Sequence, residues 1–269
     1  YNTAREGIVI SRMVWDALLY RDPATNEYLP NLATSYNWVD SKTLEFDLRK
    51  GVTFHNGEKF DADDVVYTLT YVSNPENGAK PARNVNWWDN AEKIGDYKVR
   101  LNLKKEFPAA LEFLSGPIVM YPNEYYAKVG PEGMAINPVG TGPYAVTSVE
   151  AGKRYKFKKY DNYHASSPKG QANIGNITIR TIAESNTQLA ELFSGGVDWI
   201  WKVKPDQAER IAAQGQFTVK NASTMRIGYL NFDAMGRHSE NPMNDVRVRR
   251  AIAHAIDREG IVNALVGGE

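Results

Sequence analysis

The chain has 269 residues, 42% hydrophobic and 24% charged, with 32 Lys and Arg residues against 32 Asp and Glu. This is the composition of a globular protein of one large or two ordinary domains, and its balanced charge gives no net field to steer nucleic acid or an anionic membrane toward it. The absence of cysteine excludes disulfide frameworks, zinc–thiolate sites, iron–sulfur clusters and a cysteine nucleophile.

A cysteine-free chain suits an oxidising compartment without requiring one. No apolar run reaches the roughly 18 residues that a membrane span needs, and no signal peptide is visible. The chain starts at Tyr1 with a helical pattern under way by Ile8, and it ends "IVNALVGGE" on the heels of a helix. Both ends are expected to be processed or trimmed.

In chain order, Ile10, Met13, Val14, Ala17 and Leu18 form one apolar helix stripe. "RDPATNEYLPNL" is polar, carries two prolines and reads as loop. In "TLEFDLRKGVTFHNGEKFDADDVVYTL", Leu44, Phe46 and Leu48 alternate with Glu45, Asp47 and Arg49, the period of a half-buried strand. Val52 and Phe54 repeat the alternation, and Asn56 and Gly57 offer a tight turn. Asp61 is an N-cap for a helix carrying Val65, Val66, Leu69 and Val72, with Asp64 three residues on. "NPENGAKPARN" is a turn-rich loop leading into Trp87 and Trp88. Val99, Leu101 and Leu103 alternate with polar residues in a further strand, and "FPAALEFL" and "PNEYYAKVG" are short helices. "NPVGTGPYAVTSV" places two prolines and two glycines directly before a strand, a stiff bend rather than a phosphate cradle. "YKFKKY" and "ITIRTI" are strands, and "ESNTQLAELFSGG" is a helix. "VDWIWKV" alternates as a strand, with Trp199 and Trp201 on one face and core or interdomain packing expected of both. "KPDQAERIAAQG" is a helix, "FTVKNAS" and "MRIGYLNFD" are strands, and two helices in series follow, capped by Asn244 and Asp257. Strands and helices mix without strict βαβα alternation, an α+β pattern.

No catalytic constellation stands out. The four histidines, His55, His164, His238 and His254, show no metal-ligand spacing, and His254 among alanines reads as a packed or partly exposed helix residue. There is no G-x-S-x-G, P-loop or G-x-G-x-x-G. Glu45 and Asp47 share a strand's solvent face, and Asp61, Asp63 and Asp64 sit in a helix's first turn, where they complement the macrodipole. Trp87 and Trp88 are a sharper signal. Adjacent indoles are not both expected to face the core from one simple strand, so one would line a cleft or meet a ligand, the alternative being a plug that holds the loop to the domain body. Arg226, among Met225, Ile227 and Tyr229, reads either as a partner for an anionic group or as a surface arginine.

Four segments taken together, "LATSYNWVDSKTLEFDLRKGVTFHNGEKFDADDVVYTL", "NPVGTGPYAV", "QLAELFSGGVDWI" and "YLNFDAMGRHSENPMNDVRVRRAIAHAIDREGIV", resemble the extracytoplasmic solute-binding proteins of family 5, the oligopeptide-, dipeptide- and nickel-binding components of ABC transporters. The resemblance implies an α+β, type II periplasmic-binding-protein-like fold with two lobes closing over a solute: a large lobe with a mixed sheet, a padding domain and a truncated second lobe. By analogy, residues 1–15 and 130–223 form domain I, residues 16–129 the padding domain II, and residues 224–269 the start of domain III. The strand–turn–helix unit at Thr43–Leu69 then carries fold rather than chemistry. Family members are about twice this length, so the resemblance implies a fragment bearing one wall of the cleft.

Carried onto this chain, that wall comprises Asn2, Thr3, Ala4 and Arg5, the loop at Trp87 and Trp88, and Thr224, Met225 and Arg226, whose main chain would add strand-like hydrogen bonds to an extended peptide. The function implied is capture of a peptide or similar small solute in the periplasm for delivery to a membrane permease, with no catalysis, metal or cofactor. An opine, an oligosaccharide, or a nickel or haem chelate is the alternative ligand class, and a periplasmic hydrolase the less favoured alternative. Neither nucleic acid nor a membrane span enters the reading.

Overall fold

The computed structural model describes residues 5–79, 81–222, 228–238 and 240–266. The chain divides into two units, Tyr1–Thr181 and Ile182–Glu269.

In the first unit, α1 (Arg5–Val14) is followed by the hairpin β1 (Leu19–Arg21) and β2 (Tyr28–Pro30), then by β3 (Ala33–Asp40) and β4 (Thr43–Leu48). The helix ends earlier than the stripe through Leu18 suggests. Trp15 N–H still donates to Ser11 O at 2.8 Å, but by Leu18 the chain is extended, its carbonyl accepting from Ala33 N–H at 2.8 Å. Helix α2 (Ala62–Ser73), β5 (Trp88–Gly95) and β6 (Lys98–Leu103) complete a four-stranded antiparallel sheet of order β3-β4-β6-β5. Its register places Phe46 opposite Val99 and Leu44 opposite Leu101. One face of the sheet is therefore continuous with the core formed by Val65 and Leu69 of α2. On the other face Arg100 Nε and Nη2 meet Glu45 Oε1 at 3.0 and 2.6 Å, a cross-strand pair of modest worth in solvent. The second expected strand, at Val52 and Phe54, is reduced to one bridge between Thr53 and Lys59 around the turn at Gly57, whose φ is +90°.

Short helices α3 (Ala110–Leu114) and α4 (Asn123–Ile136), the latter kinked at Gly130, close this core. Three antiparallel strands follow, β7 (Tyr144–Glu150), β8 (Arg154–Lys159) and β9 (Asn176–Arg180). Tyr144, Phe157, Ile177 and Ile179 pack there with Ile10, Met13 and Val14 of α1. Every strand pair among the described residues is antiparallel, so the mixed pairing expected of the large lobe is not represented in them.

The second unit holds α5 (Ser185–Phe193), α6 (Pro205–Ala212), α7 (Val246–Ala255) and α8 (Arg258–Ile261). Leu189 and Leu192 of α5 pack with Ile211 of α6. None of its described residues is in a strand. "VDWIWKV" and residues 217–222 of "FTVKNAS" therefore lack the pairing their alternation suggests, and Ser223 and part of "MRIGYLNFD" lie outside the described residues. The cap of α7 is Asp245, which accepts from Arg247 N–H at 2.8 Å, because Asn244 belongs to the preceding turn Pro242–Asn244. Asp257 caps α8 as expected, accepting from Gly260 N–H at 2.9 Å.

Asp61 and Asp64 form the reciprocal cap of α2. Asp61 accepts from Asp63 N–H, while Asp64 accepts from Asp61 N–H at 2.9 Å and from Asn123 N–H at 2.8 Å. Burial pushes the Asp64 carboxyl from 3.8 up to about 7, against the pull of those two amides. A carboxyl raised on folding contributes stability that is complete below about pH 3.8 and is lost as pH rises through about 7. The thermal midpoint of the protein is accordingly expected to fall between about pH 3.8 and 7 and to level off above that, and Asp64→Asn to flatten that fall. A variant with the same slope would assign it to other groups.

Candidate functional site

The residues expected to form a ligand wall are not brought together among the described residues. Asn2, Thr3, Ala4, Thr224, Met225 and Arg226 lie outside them. Arg5 opens α1. Trp87 and Trp88 are described fully, and both are core residues, 3% and 1% exposed. The expectation that adjacent indoles cannot both be buried fails because the strand begins at Trp88, so Trp87 stands just outside it and is free of the strand's alternation. Trp87 stacks on Phe107 with ring centroids 4.7 Å apart and meets Trp88 edge-on, also at 4.7 Å. Its indole N–H donates to Asn84 O at 2.9 Å. The pair therefore holds the 74–84 loop to the domain body, and neither ring offers a face to a solute.

What the structure does assemble is a buried polar cluster under the C-terminal end of α1. Asp16 leaves the helix inside an apolar run, "VWDALL", and is fully buried. Lys169 Nζ lies 2.6 Å from Asp16 Oδ1. The same ammonium donates to Arg12 O at 2.7 Å and Trp15 O at 3.0 Å, so its three hydrogens have three acceptors and it neutralises the exposed carbonyls of the last helical turn. Asn31 Nδ2 donates to Asp16 Oδ1 at 3.3 Å, and the Thr141 hydroxyl donates to Oδ2 at 3.2 Å. The Tyr163 hydroxyl lies 3.2 Å from Oδ1 and 2.6 Å from Ser167 Oγ. Burial alone would raise the Asp16 carboxyl, but the charge and hydrogen bond of Lys169, with help from His164 and Asn31, hold it below its ordinary value. His164 Nε2 is 3.9 Å from Asp16 Oδ2, and burial keeps that imidazole below its ordinary value.

A second joint lies beside it. His55 Nε2 and Gly142 O are 2.9 Å apart, and Gly140 N–H donates to His55 Nδ1 at 3.3 Å. With Nδ1 accepting, the proton resides on Nε2 and the ring is neutral, in keeping with the lowering that burial imposes. Gly142 N–H donates to Val14 O at 2.8 Å, and the Trp15 indole N–H to Val139 O at 2.7 Å. A Cβ at Gly140 would collide with the Val14 carbonyl oxygen, and one at Gly142 would lie 2.5 Å from Met13 O. The bend read from "NPVGTGPY" therefore exists to let two backbones touch.

Neither joint has the arrangement of a nucleophile with its base. Both do one mechanical thing: they fix the C-terminal end of α1 to the segments at Asn31 and Gly140–Gly142 and to the loop 163–169. Arg5 at the other end of that helix is thereby set at a defined distance, roughly 14 Å along the axis. Sequence reasoning passed over Asp16, Asn31, Tyr163, Ser167 and Lys169. The available signal was a lone carboxylate in an apolar run, which burial permits only with a cation partner.

A model of the bacterial extracellular solute-binding proteins, family 5 (Middle), matches residues 27–269. The glutathione-binding protein GsiB of Pectobacterium atrosepticum is 27% identical over 239 residues, covering 88% of this chain and 45% of the relative. Among solved structures, the dipeptide-binding protein of Pseudoalteromonas sp. SM9913 in complex with Met-Leu superposes with a TM-score of 0.82 at 25% identity, covering 98% of this chain and 55% of that one. NikA of Brucella suis in complex with Fe(III)-EDTA gives 0.77 at 27% identity, covering 97% and 52%. The chain spans about half the length of these relatives.

Two outcomes test these assignments. Trp88→Ala is expected to cost about 3–5 kcal/mol in denaturant unfolding, as large buried aromatics do; a loss under about 1 kcal/mol would remove it from the core. Lys169→Met leaves a buried carboxylate unpaired and is expected to cost about 3–5 kcal/mol. Adding Asp16→Asn should recover part of that loss, and strict additivity would show that the two groups do not interact.

Proposed function

The chain belongs to the bacterial extracellular solute-binding proteins, family 5, a family of solute-binding proteins with a type II periplasmic-binding fold, and on that premise we propose that the protein is the solute-binding component of an ABC transporter. It captures a peptide or a similar small solute in the periplasm and delivers it to membrane permease subunits. The observation that carries this reading is the match of nearly the whole chain to a dipeptide-binding protein holding its dipeptide. No helix among the described residues is long and apolar enough to cross a membrane, which agrees with a receptor that meets its permease as a separate subunit.

The reading requires no catalytic group. Capture is a binding step, and lobe closure is stabilised by the solute through mass action. The domain frame that goes with it is residues 1–15 and 130–223 as domain I, 16–129 as the padding domain and 224–269 as the start of the second lobe. Within it, Asn2, Thr3, Ala4, Arg5, Thr224, Met225 and Arg226 supply main-chain hydrogen bonds to the solute, a mode indifferent to side-chain identity. The Asp16–Lys169 cluster would serve that wall by fixing the helix that Arg5 opens.

Glutathione, Met-Leu and an EDTA chelate, the molecules named with the relatives, are small and carry carboxylates. We take a small carboxylate-bearing solute as the ligand class, with peptide as its first member and a metal chelate as the second reading, which the likeness to NikA favours. Native mass spectrometry of the protein purified from its host is the test. A co-purifying mass that fragments as a short peptide is expected. A chelate or sugar mass would keep the receptor and discard the peptide. An empty protein that cleaves an added peptide pool would overturn the receptor reading.

A further inference from the structure

The bend at 140–142 holds the half-buried imidazole of His55 in a fixed hydrogen-bonding sense. His55 N–H donates to Gly140 O at 2.9 Å, Gly140 N–H donates back to Nδ1 at 3.3 Å, and Nε2–H donates to Gly142 O at 2.9 Å. The Tyr160 ring meets the imidazole edge-on, centroids 4.8 Å apart, and its hydroxyl is already engaged with Thr53 Oγ1 at 2.9 Å and Phe54 O at 3.1 Å. Both ring nitrogens are therefore used, Nε2 as donor and Nδ1 as acceptor. An imidazolium carries a proton on each nitrogen, and a proton at Nδ1 points at the Gly140 N–H. The neutral ring fits this bend and the charged ring does not. The same bend reaches α1 through the neighbouring residues. Gly142 N–H donates to Val14 O at 2.8 Å, the Trp15 indole N–H donates to Val139 O at 2.7 Å, and Thr141, between the glycines, donates its hydroxyl to Asp16 Oδ2 at 3.2 Å. One imidazole thus stands behind three contacts to residues 14–16.

We infer that His55 is an acid-sensitive latch: a proton at Nδ1 expels the Gly140 N–H and frees the bend at 139–142 from the C-terminal end of α1. Asp16 is the charged group that bears on the ring and favours its cation, but Lys169 Nζ lies 2.6 Å from that carboxylate and burial of the imidazole outweighs it. His164 sits on the other side of Asp16. Its Nε2 has no hydrogen-bond partner and lies 3.9 Å from Asp16 Oδ2, so a proton there meets a carboxylate rather than another donor. His55 is therefore the trigger and His164 is not. Burial holds the folded His55 ring below its ordinary 6.5. A group lowered in this way contributes stability that is complete above about pH 6.5 and is lost as pH falls through the folded value. The latch opens on mild acidification, opposite in sign to Asp64, so its readout must be local. It belongs to the joint itself and is independent of which solute the protein takes.

Amide hydrogen exchange read by NMR between about pH 7.5 and 5, on the unaltered protein and on His55→Gln, together with the ring nitrogen shifts of His55, is the test. At neutral pH the ring is expected as the Nε2–H tautomer. The exchange rates of the Gly140 and Gly142 amides, divided by their intrinsic rates, are expected to rise by up to about tenfold per pH unit from pH 6.5 down to the pH at which the folded ring charges. The Trp15 indole N–H is expected to follow them. In His55→Gln, whose side-chain amide does not titrate, the rise is expected to vanish. An Nδ1–H tautomer, a ring that titrates above 6.5, or glycine amides that stay protected while the ring charges would overturn the latch. The same rise in His55→Gln would assign it to another group and overturn it equally. If that variant does not fold, the tautomer and the coincidence of ring titration with amide opening decide the matter in the unaltered protein.

Discussion

One buried ion pair organises the first unit. Asp16 and Lys169 bring a carboxylate and an ammonium out of water, a step that is favourable only when every remaining lone pair and hydrogen is matched. Here the matching groups come from four separate stretches: the end of α1, Asn31, Thr141, and the loop that carries Tyr163 and Ser167. No stretch can leave without orphaning a polar group in the others. The pair is a weak source of stability by itself but a strong constraint on geometry. The four-stranded sheet, the three-stranded sheet and α1 are held in one arrangement by it.

The parts of the fold that were legible in the sequence are those whose physics is local. The alternation of Leu44, Phe46 and Leu48, the reciprocal cap of Asp61 and Asp64, and the stripe of α2 each involve residues within a turn or a strand of one another. The cluster around Asp16 was not legible because its partners lie 15 and 147 residues away. Periodicity carries no information at that range. Of the two readings open for Trp87 and Trp88, the cleft reading goes wrong for a smaller reason: a strand boundary falls between them, and the alternation rule was applied across it. "VDWIWKV" has the alternation of a strand, yet a strand also needs a neighbour to pair with, and alternation cannot say whether one is present.

The family resemblance and the residue-level reading divide the work between them. The resemblance supplied the fold and the kind of function. The structure supplied what a family pattern leaves out: which aromatic residues are packed, which are open, and what holds the helix that Arg5 begins. Aromatic pairs in this chain differ sharply in burial. Trp87 and Trp88 are both shielded, whereas Trp199 is 71% exposed and Trp201 half-buried. The same residue type at the same density in the sequence gave no means of telling them apart.

The contact of Gly140 and Gly142 with the backbone of Met13 and Val14 bears on how the protein can change over evolutionary time. At these two positions any side chain meets main-chain atoms, which have no rotamer to yield. An accepted substitution at either would need a compensating shift of the backbone at residues 13–15, which leads directly to Asp16 and so to every partner of the cluster. Such a change requires several residues to alter at once, and a lineage taking single steps has no path to it. The exposed loop at 74–79, which contributes little to the buried core, is the place where length and composition can drift.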